Sequence, residues 1–114
     1  MISNSLHDEV INRDKVCIYC VYMKYWKGED IEVNQAVQVH HIVKKKWLNK
    51  KHQRLLDTAI NLVGVCESCH YKRLVDNMEA TVYFVWYLTK RLGLPFREWY
   101  AELPMLEKEN IIEF

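Results

Sequence analysis

No apolar run in this 114-residue chain approaches the roughly 20 residues that a membrane-spanning helix needs, so no such helix is expected. The opening Met1-Ile2-Ser3-Asn4-Ser5 lacks the basic start and apolar stretch of a secretory signal, so export is not expected either. Without export, four cysteines face a reducing compartment, where metal ligation is favoured over disulfides. The expected location is the cytoplasm, the chain being bacterial or phage-encoded. Internal repeats, low-complexity tracts and linkers are all missing. Acidic residues are missing from one stretch in particular. Between Lys44 and Arg54 the charges are Lys44, Lys45, Lys46, Lys50, Lys51 and Arg54, with no carboxylate among them.

What is present points to one folded domain. Half of the residues are hydrophobic and 12% are aromatic, a composition too apolar for disorder. At this length one domain is the expectation, covering residues 1–114, with a core over about 13–75 and a helical extension over about 76–114. A core this small is marginal unless something else stabilises it, and a structural metal is one such aid. The net charge of +1 conceals the lysine-rich stretch, so a single polyanion-facing surface is expected on a near-neutral protein. An ordinary solvated face fits the same charges.

Local patterns give the elements. Leu6, Val10 and Ile11 recur at helical spacing, which predicts a helix over residues 4–12 with Ser5 as its cap. Residues 21–30 are polar and aromatic, with Gly28 marking a turn, and read as loop or irregular hairpin. The β-branched run predicts a strand over residues 36–42 and a second over 61–66. Residues 45–58 read as a helix, with Trp47, Leu48, Leu55 and Ala59 on one side and Lys46, Lys50 and Arg54 on another. A helical turn follows Cys69. Asp76 or Asn77 is expected to cap a helix over residues 78–92, with Glu79 available for a capping box and Gly93 as the stop. Val82, Val85, Trp86 and Leu92 are its expected core face. Pro95 opens a last short helix over residues 95–101, before an acidic, apolar tail with Ile111, Ile112 and Phe114.

The strongest chemical signal is the pair of C-x2-C motifs, Cys17/Cys20 and Cys66/Cys69. One such pair alone fits a redox dithiol. Two supply four soft ligands, a closed tetrahedral shell for a structural Zn2+. Their long separation means that the metal clamps the base of a large insert. Inside that insert lies Val39-His40-His41-Ile42, with Asn61 and His70 downstream. Hydrolysis of a phosphodiester requires a base for water and a cation for the developing charge. Imidazole serves both needs. Neighbours on a regular strand point to opposite faces, so for His40 and His41 to reach one phosphate the backbone must leave the pleat. One buried and one surface histidine is the alternative. His7 and His52 are read as surface residues.

Taken together, Cys17-x2-Cys20, Val39-His40-His41-Ile42 and Asn61-Leu62-x3-Cys66-x2-Cys69-His70-x2-Arg73 resemble the HNH endonuclease family, in its small, stand-alone, four-cysteine form. The resemblance covers residues 13–74. It implies an α+β fold with a ββα-metal (His-Me finger) core, a structural zinc knuckle and additional C-terminal helices. It implies a DNA endonuclease in which His41 is the general base and His40 and His70 hold Mg2+ or another divalent ion. Asn61 holds the active-site loop, and the products carry 5′-phosphate and 3′-hydroxyl ends. Lys44, Lys45, Lys46, Lys50, Lys51, Arg54, Lys72 and Arg73 are the expected phosphate contacts. Three features depart from the family's pattern: Val21 follows the second cysteine where glycine is common, Lys44-Lys45-Lys46 replaces a proline and paired glycines, and Arg73 stands where lysine is common. A zinc-stabilised nucleic-acid-binding or adaptor module without catalysis is the rival reading. A third makes the aromatic C-terminal half a docking surface for a larger phage packaging or restriction complex.

Overall fold

A computed structural model describes residues 2–93 and 96–104. Pro95 and the apolar tail lie outside the described residues. The fold is α+β: among the described residues, five α-helices, a π-helical turn and short 3-10 turns surround one two-stranded antiparallel sheet. No described helix is long and apolar enough to cross a membrane.

Helix α1 (Asn4–Asp14) starts at Ser3, whose Oγ accepts the Leu6 N–H at 3.1 Å. The cap is therefore Ser3 and not Ser5, because only Ser3 leaves its backbone extended before the first turn. Helix α2 (Ile18–Val21) begins at Cys17, whose sulfur accepts the Cys20 N–H. It runs straight into a π-helical turn, Tyr22–Trp26. The loop expected over residues 21–30 is thus helical as far as Trp26. Tyr22 is fully buried in the core and holds the chain wound where its polar neighbours alone would not. Gly28, at φ 75°, makes the expected turn.

Strands β1 (Gln38–His41) and β2 (Leu62–Val65) pair with His40 opposite Val63 and His41 opposite Leu62. All four β2 residues are buried. Gly64 is required there. A Cβ at this position would sit 2.9 Å from Ala36 Cβ and 3.3 Å from Asp14 Cβ. Its N–H donates to Asp14 Oδ2 at 2.7 Å. The same buried carboxylate accepts from Arg13 and from the Tyr87 hydroxyl. Arg13 in turn donates to the Ala59 and Leu62 carbonyls. This node fastens α1, the sheet and the long C-terminal helix together.

The single helix expected over residues 45–58 is not formed. The chain makes two 3-10 segments, Lys45–Trp47 and Lys50–Leu56, with Leu48 extended between them. Leu48 and Leu56 are buried while Leu55 is 44% exposed, and Leu48 reaches the core from extended backbone, not from a helix. The Lys46, Lys50, Arg54 row therefore does not exist as one helix face.

Helix α3 (Glu67–Tyr71) follows β2 directly. Helix α4 (Met78–Leu92) is capped by Asn77, which accepts the Ala80 N–H, and stops at left-handed Gly93, as expected. With Asn77 as the cap, Glu79 falls one position short of a capping box. It bonds the Tyr22 hydroxyl and Lys27 instead. The core face of α4 carries Ala80, Thr81, Phe84, Val85 and Leu88. Val82 and Trp86, expected there, are 42% and 48% exposed, and Trp86 packs on Trp26 and Tyr83 at the surface. Helix α5 (Phe96–Ala101) returns Phe96 and Tyr100 to the core. Gly64→Ala is expected to lower stability by about 1–3 kcal/mol, the usual cost of overpacking, measured as a shift in the denaturant midpoint of the parent and variant proteins.

Candidate metal centre and histidine cleft

The two cysteine pairs arrive from opposite ends of the insert. Cys17 and Cys20 bracket the start of α2, and Cys66 and Cys69 bracket the start of α3. All four are buried, with their sulfurs within 4.8 Å of one another. Among the described residues this is the one group of three or more potential ligands so gathered. Tetrahedral zinc with Zn–S bonds of about 2.3 Å sets its sulfurs roughly 3.8 Å apart. Cys20 and Cys69 Sγ stand 3.9 Å apart, so the donor set and spacing fit zinc.

Without a cation the cluster would be electrostatically frustrated. The hydrogen bond from Cys69 pulls the Cys17 thiol down to about 5. Burial pushes Cys20 up to about 11, and the bond to Cys17, with burial, drives Cys69 upward as well. The cluster cannot hold several thiolates at neutral pH without a cation to offset them. Asn34, which sequence reasoning missed, contributes to both pairs. Its side-chain amide approaches Cys66 Sγ at 3.8 Å, and its backbone N–H bonds Cys20.

Beyond this cluster, His40, His41 and His70 line one cleft of about 310 Å3. Both histidines are paired within β1, His40 opposite Val63 and His41 opposite Leu62, so the backbone does not leave the pleat between them; it bends only after them, at Ile42 and Val43. His70 enters from α3, exposed to solvent. Lys44, Lys45, Lys46 and Arg73 line the same cleft. The other expected phosphate contacts do not. Lys50, Lys51 and Arg54 are exposed on the 3-10 segment, and Lys72 faces a separate hollow beside Cys66. His7 and His52 are half-buried rather than fully exposed, and neither lines the cleft.

Each histidine has its own environment. His40 is 7% exposed and packs edge-on against Phe84 at 5.7 Å. Burial holds its pKa down to about 4, so the ring is neutral at pH 7. Burial also lowers His41, against the opposing pull of Asp57. His41 Nε2 lies 2.9 Å from Asp57 Oδ1. Burial alone would raise the Asp57 carboxyl, but the His41 hydrogen bond and nearby Lys45 keep it below the usual range. An ionised carboxylate only accepts, so Nε2 carries the proton and Nδ1 has the free lone pair. Asp57 was not singled out from the sequence. The available signal was its isolation, as the single acidic residue between Glu32 and Glu67.

Asn61 is fully buried. Its Oδ1 accepts the Val43 N–H at 2.8 Å, and its Nδ2 donates to the Val43 and Leu56 carbonyls. It thus ties together the two ends of the segment between Val43 and Leu56. Asp76, read earlier as a possible cap, lines the cleft and accepts from Lys44 Nζ at 2.7 Å.

Zinc held by four thiolates contributes on the order of 10 kcal/mol of folding energy. Metal analysis should therefore find one zinc per chain. Chelation, or Cys66→Ser, should abolish the cooperative unfolding transition seen by circular dichroism. Compared with protein-family models, curated proteins and solved structures, the chain matches none.

Proposed function

We propose that this protein is a metal-dependent endonuclease of the HNH type, hydrolysing phosphodiester bonds of DNA on a ββα-metal core made of β1, β2 and α3. The observation that carries this reading is the meeting of His40 and His41, from β1, with His70, from α3, in one cleft rimmed by lysines. The position of Asn61 behind the loop supports it further. The residue pattern that carries the resemblance thus coincides with a site having the chemistry the reaction needs.

In this reading a phosphodiester enters the cleft and meets Lys44, Lys45, Lys46 and Arg73, which supply affinity and salt dependence without sequence choice. His41, neutral and oriented by Asp57, takes a proton from water at Nδ1 as the water attacks phosphorus in line. The geometry matches a carboxylate that fixes the tautomer of a catalytic imidazole and stabilises the imidazolium. The imidazoles of His40 and His70 are the residues that would hold a divalent ion, whose chemistry would be to neutralise charge at the leaving oxygen. Asn61 keeps the loop from relaxing, so His41 and the cations stay in register.

Nicking of supercoiled plasmid in Mg2+ or Mn2+ tests the reading. The parent should convert it to open circles, and His41→Ala should slow this by on the order of a hundredfold or more. A parent that leaves the plasmid intact with every divalent ion would favour the binding-module reading instead. Because burial lowers His41, the proton-free base should persist below the ordinary histidine range, and nicking should fall only in more acidic buffer. Asp57 pulls in the opposite direction. Asp57→Asn should therefore move that acidic limb to still lower pH while cutting the maximal rate by roughly tenfold or more.

A further inference from the structure

One face of the molecule is used by neither the histidine cleft nor the cysteine cluster. Trp26, at the end of the π-helical turn, meets Tyr83 and Trp86 of α4. Its ring centroid lies 5.8 Å from that of Tyr83 and 6.4 Å from that of Trp86, and Tyr83 and Trp86 are 5.5 Å apart. The ring planes are inclined to one another by 41–66°, so they form inclined walls and not a flat stack. With Glu79 and Val82 they line a hollow of about 280 Å3, at the small end of ligand pockets. Trp26 is 63% exposed and Trp86 48%, which leaves indole surface open to a ligand. The π-helical turn is a second, independent mark. Such turns are rare and recur at functional sites, and this one ends on Trp26.

The chemistry of the walls selects the ligand. Glu79 is the single charged residue among those lining the hollow. The Tyr22 hydroxyl and Lys27 hold its carboxyl below the usual range, so it is ionised at neutral pH. Across residues 24–32 together with Glu79, two lysines, Lys24 and Lys27, stand against four carboxylates, Glu29, Asp30, Glu32 and Glu79. This net acidic neighbourhood repels a phosphate and attracts a cation. The faces of indole and phenol rings attract the same sign of charge. Both bonds to Glu79, from the Tyr22 hydroxyl at 2.6 Å and from Lys27 Nζ at 2.9 Å, fall on Oε1, so this carboxylate offers an incoming group charge more than hydrogen bonds. A primary ammonium or a guanidinium brings several N–H donors that apolar walls leave unsatisfied. A quaternary ammonium brings none. We infer that the hollow between Trp26, Tyr83 and Trp86 binds a trimethylammonium group, held by cation–π contact with the three rings and by the charge of Glu79. The inference is independent of the nuclease reading.

The test uses the full zinc-loaded chain, with choline as the probe. Binding is followed by nuclear magnetic resonance of the indole N–H groups, one signal for each of the four tryptophans. Choline should move the Trp26 and Trp86 signals along one binding curve and leave those of Trp47 and Trp99 in place. The neutral isostere of choline, with a tert-butyl group replacing trimethylammonium, should bind on the order of tenfold more weakly. Trp86→Leu and Glu79→Gln should each weaken choline binding by a similar factor. Glu79→Gln should leave the affinity for the neutral isostere unchanged, and unmoved Trp47 and Trp99 signals show that each variant is folded. A peptide carrying trimethyllysine is titrated alongside. Tighter binding than choline assigns the group to a modified protein, and no gain assigns it to a free small molecule; both support the inference. Equal affinity for choline and its isostere would overturn it, as would choline binding that survives unchanged in Trp86→Leu. So would movement of the two indole signals by a single-stranded oligonucleotide but not by choline, which would make the patch a base-stacking platform.

Discussion

Four sulfurs within 4.8 Å of one another set the geometry on which the rest of this structure depends. The sheet has only two strands of four residues, and an isolated hairpin of that kind is marginal in water. Its partners are short helices. The cysteine cluster joins the start of α2 to the start of α3 across the sheet, replacing the area that a larger core would bury. The Arg13–Asp14 pair closes the other side, linking α1 to Gly64 and Tyr87. Between these two anchors the insert has little freedom. Asn61 then fixes it at both ends with three hydrogen bonds from one amide.

The cleft is a consequence of that clamping. His41 comes from the end of a strand, His70 from the helix held by Cys66 and Cys69, and Lys44–46 from the turn between them. None of these is a neighbour of all the others in sequence. Burial gives His40 and His41 the neutral forms that a metal ligand or a base needs. The lysines and Arg73 give the surroundings the opposite charge to a phosphate. Asp57 and Asp76 are where the two properties meet, each bonded to a histidine or lysine that the proposed reaction uses.

Much of this could be read from residue types and spacing, and the failures have specific causes. The paired C-x2-C motifs identified the cluster because two such pairs supply the four soft ligands of a closed tetrahedral site. Strand positions and the limits of α4 followed from β-branched runs, from Asn77 and from Gly93. The segment over residues 45–58 was misread because its apolar residues mimic a helical stripe, whereas the chain is extended at Leu48 between two 3-10 segments, with Leu48 and Leu56 both buried. Trp86 was misplaced because hydrophobicity does not distinguish a core face from an exposed aromatic patch with Trp26 and Tyr83. Asn34 acts through contacts across many residues of sequence, with no local pattern to mark it, and Asp57 was marked only by its isolation among uncharged and basic residues. The loop over residues 21–30 failed for a related reason, since burial of Tyr22 overrode weak local preference.

The central claim is that imidazoles from two distant segments face one phosphodiester because a thiolate cluster holds the segments together. Nitrogen-resolved nuclear magnetic resonance of the histidine rings during titration with a DNA duplex tests it most directly. The account predicts that the resonances of His40, His41 and His70 move together with a common affinity. Those of His7 and His52 should stay still, and the whole response should vanish when zinc is removed. Movement of His41 without His70, or an unchanged response in zinc-free protein, would contradict it.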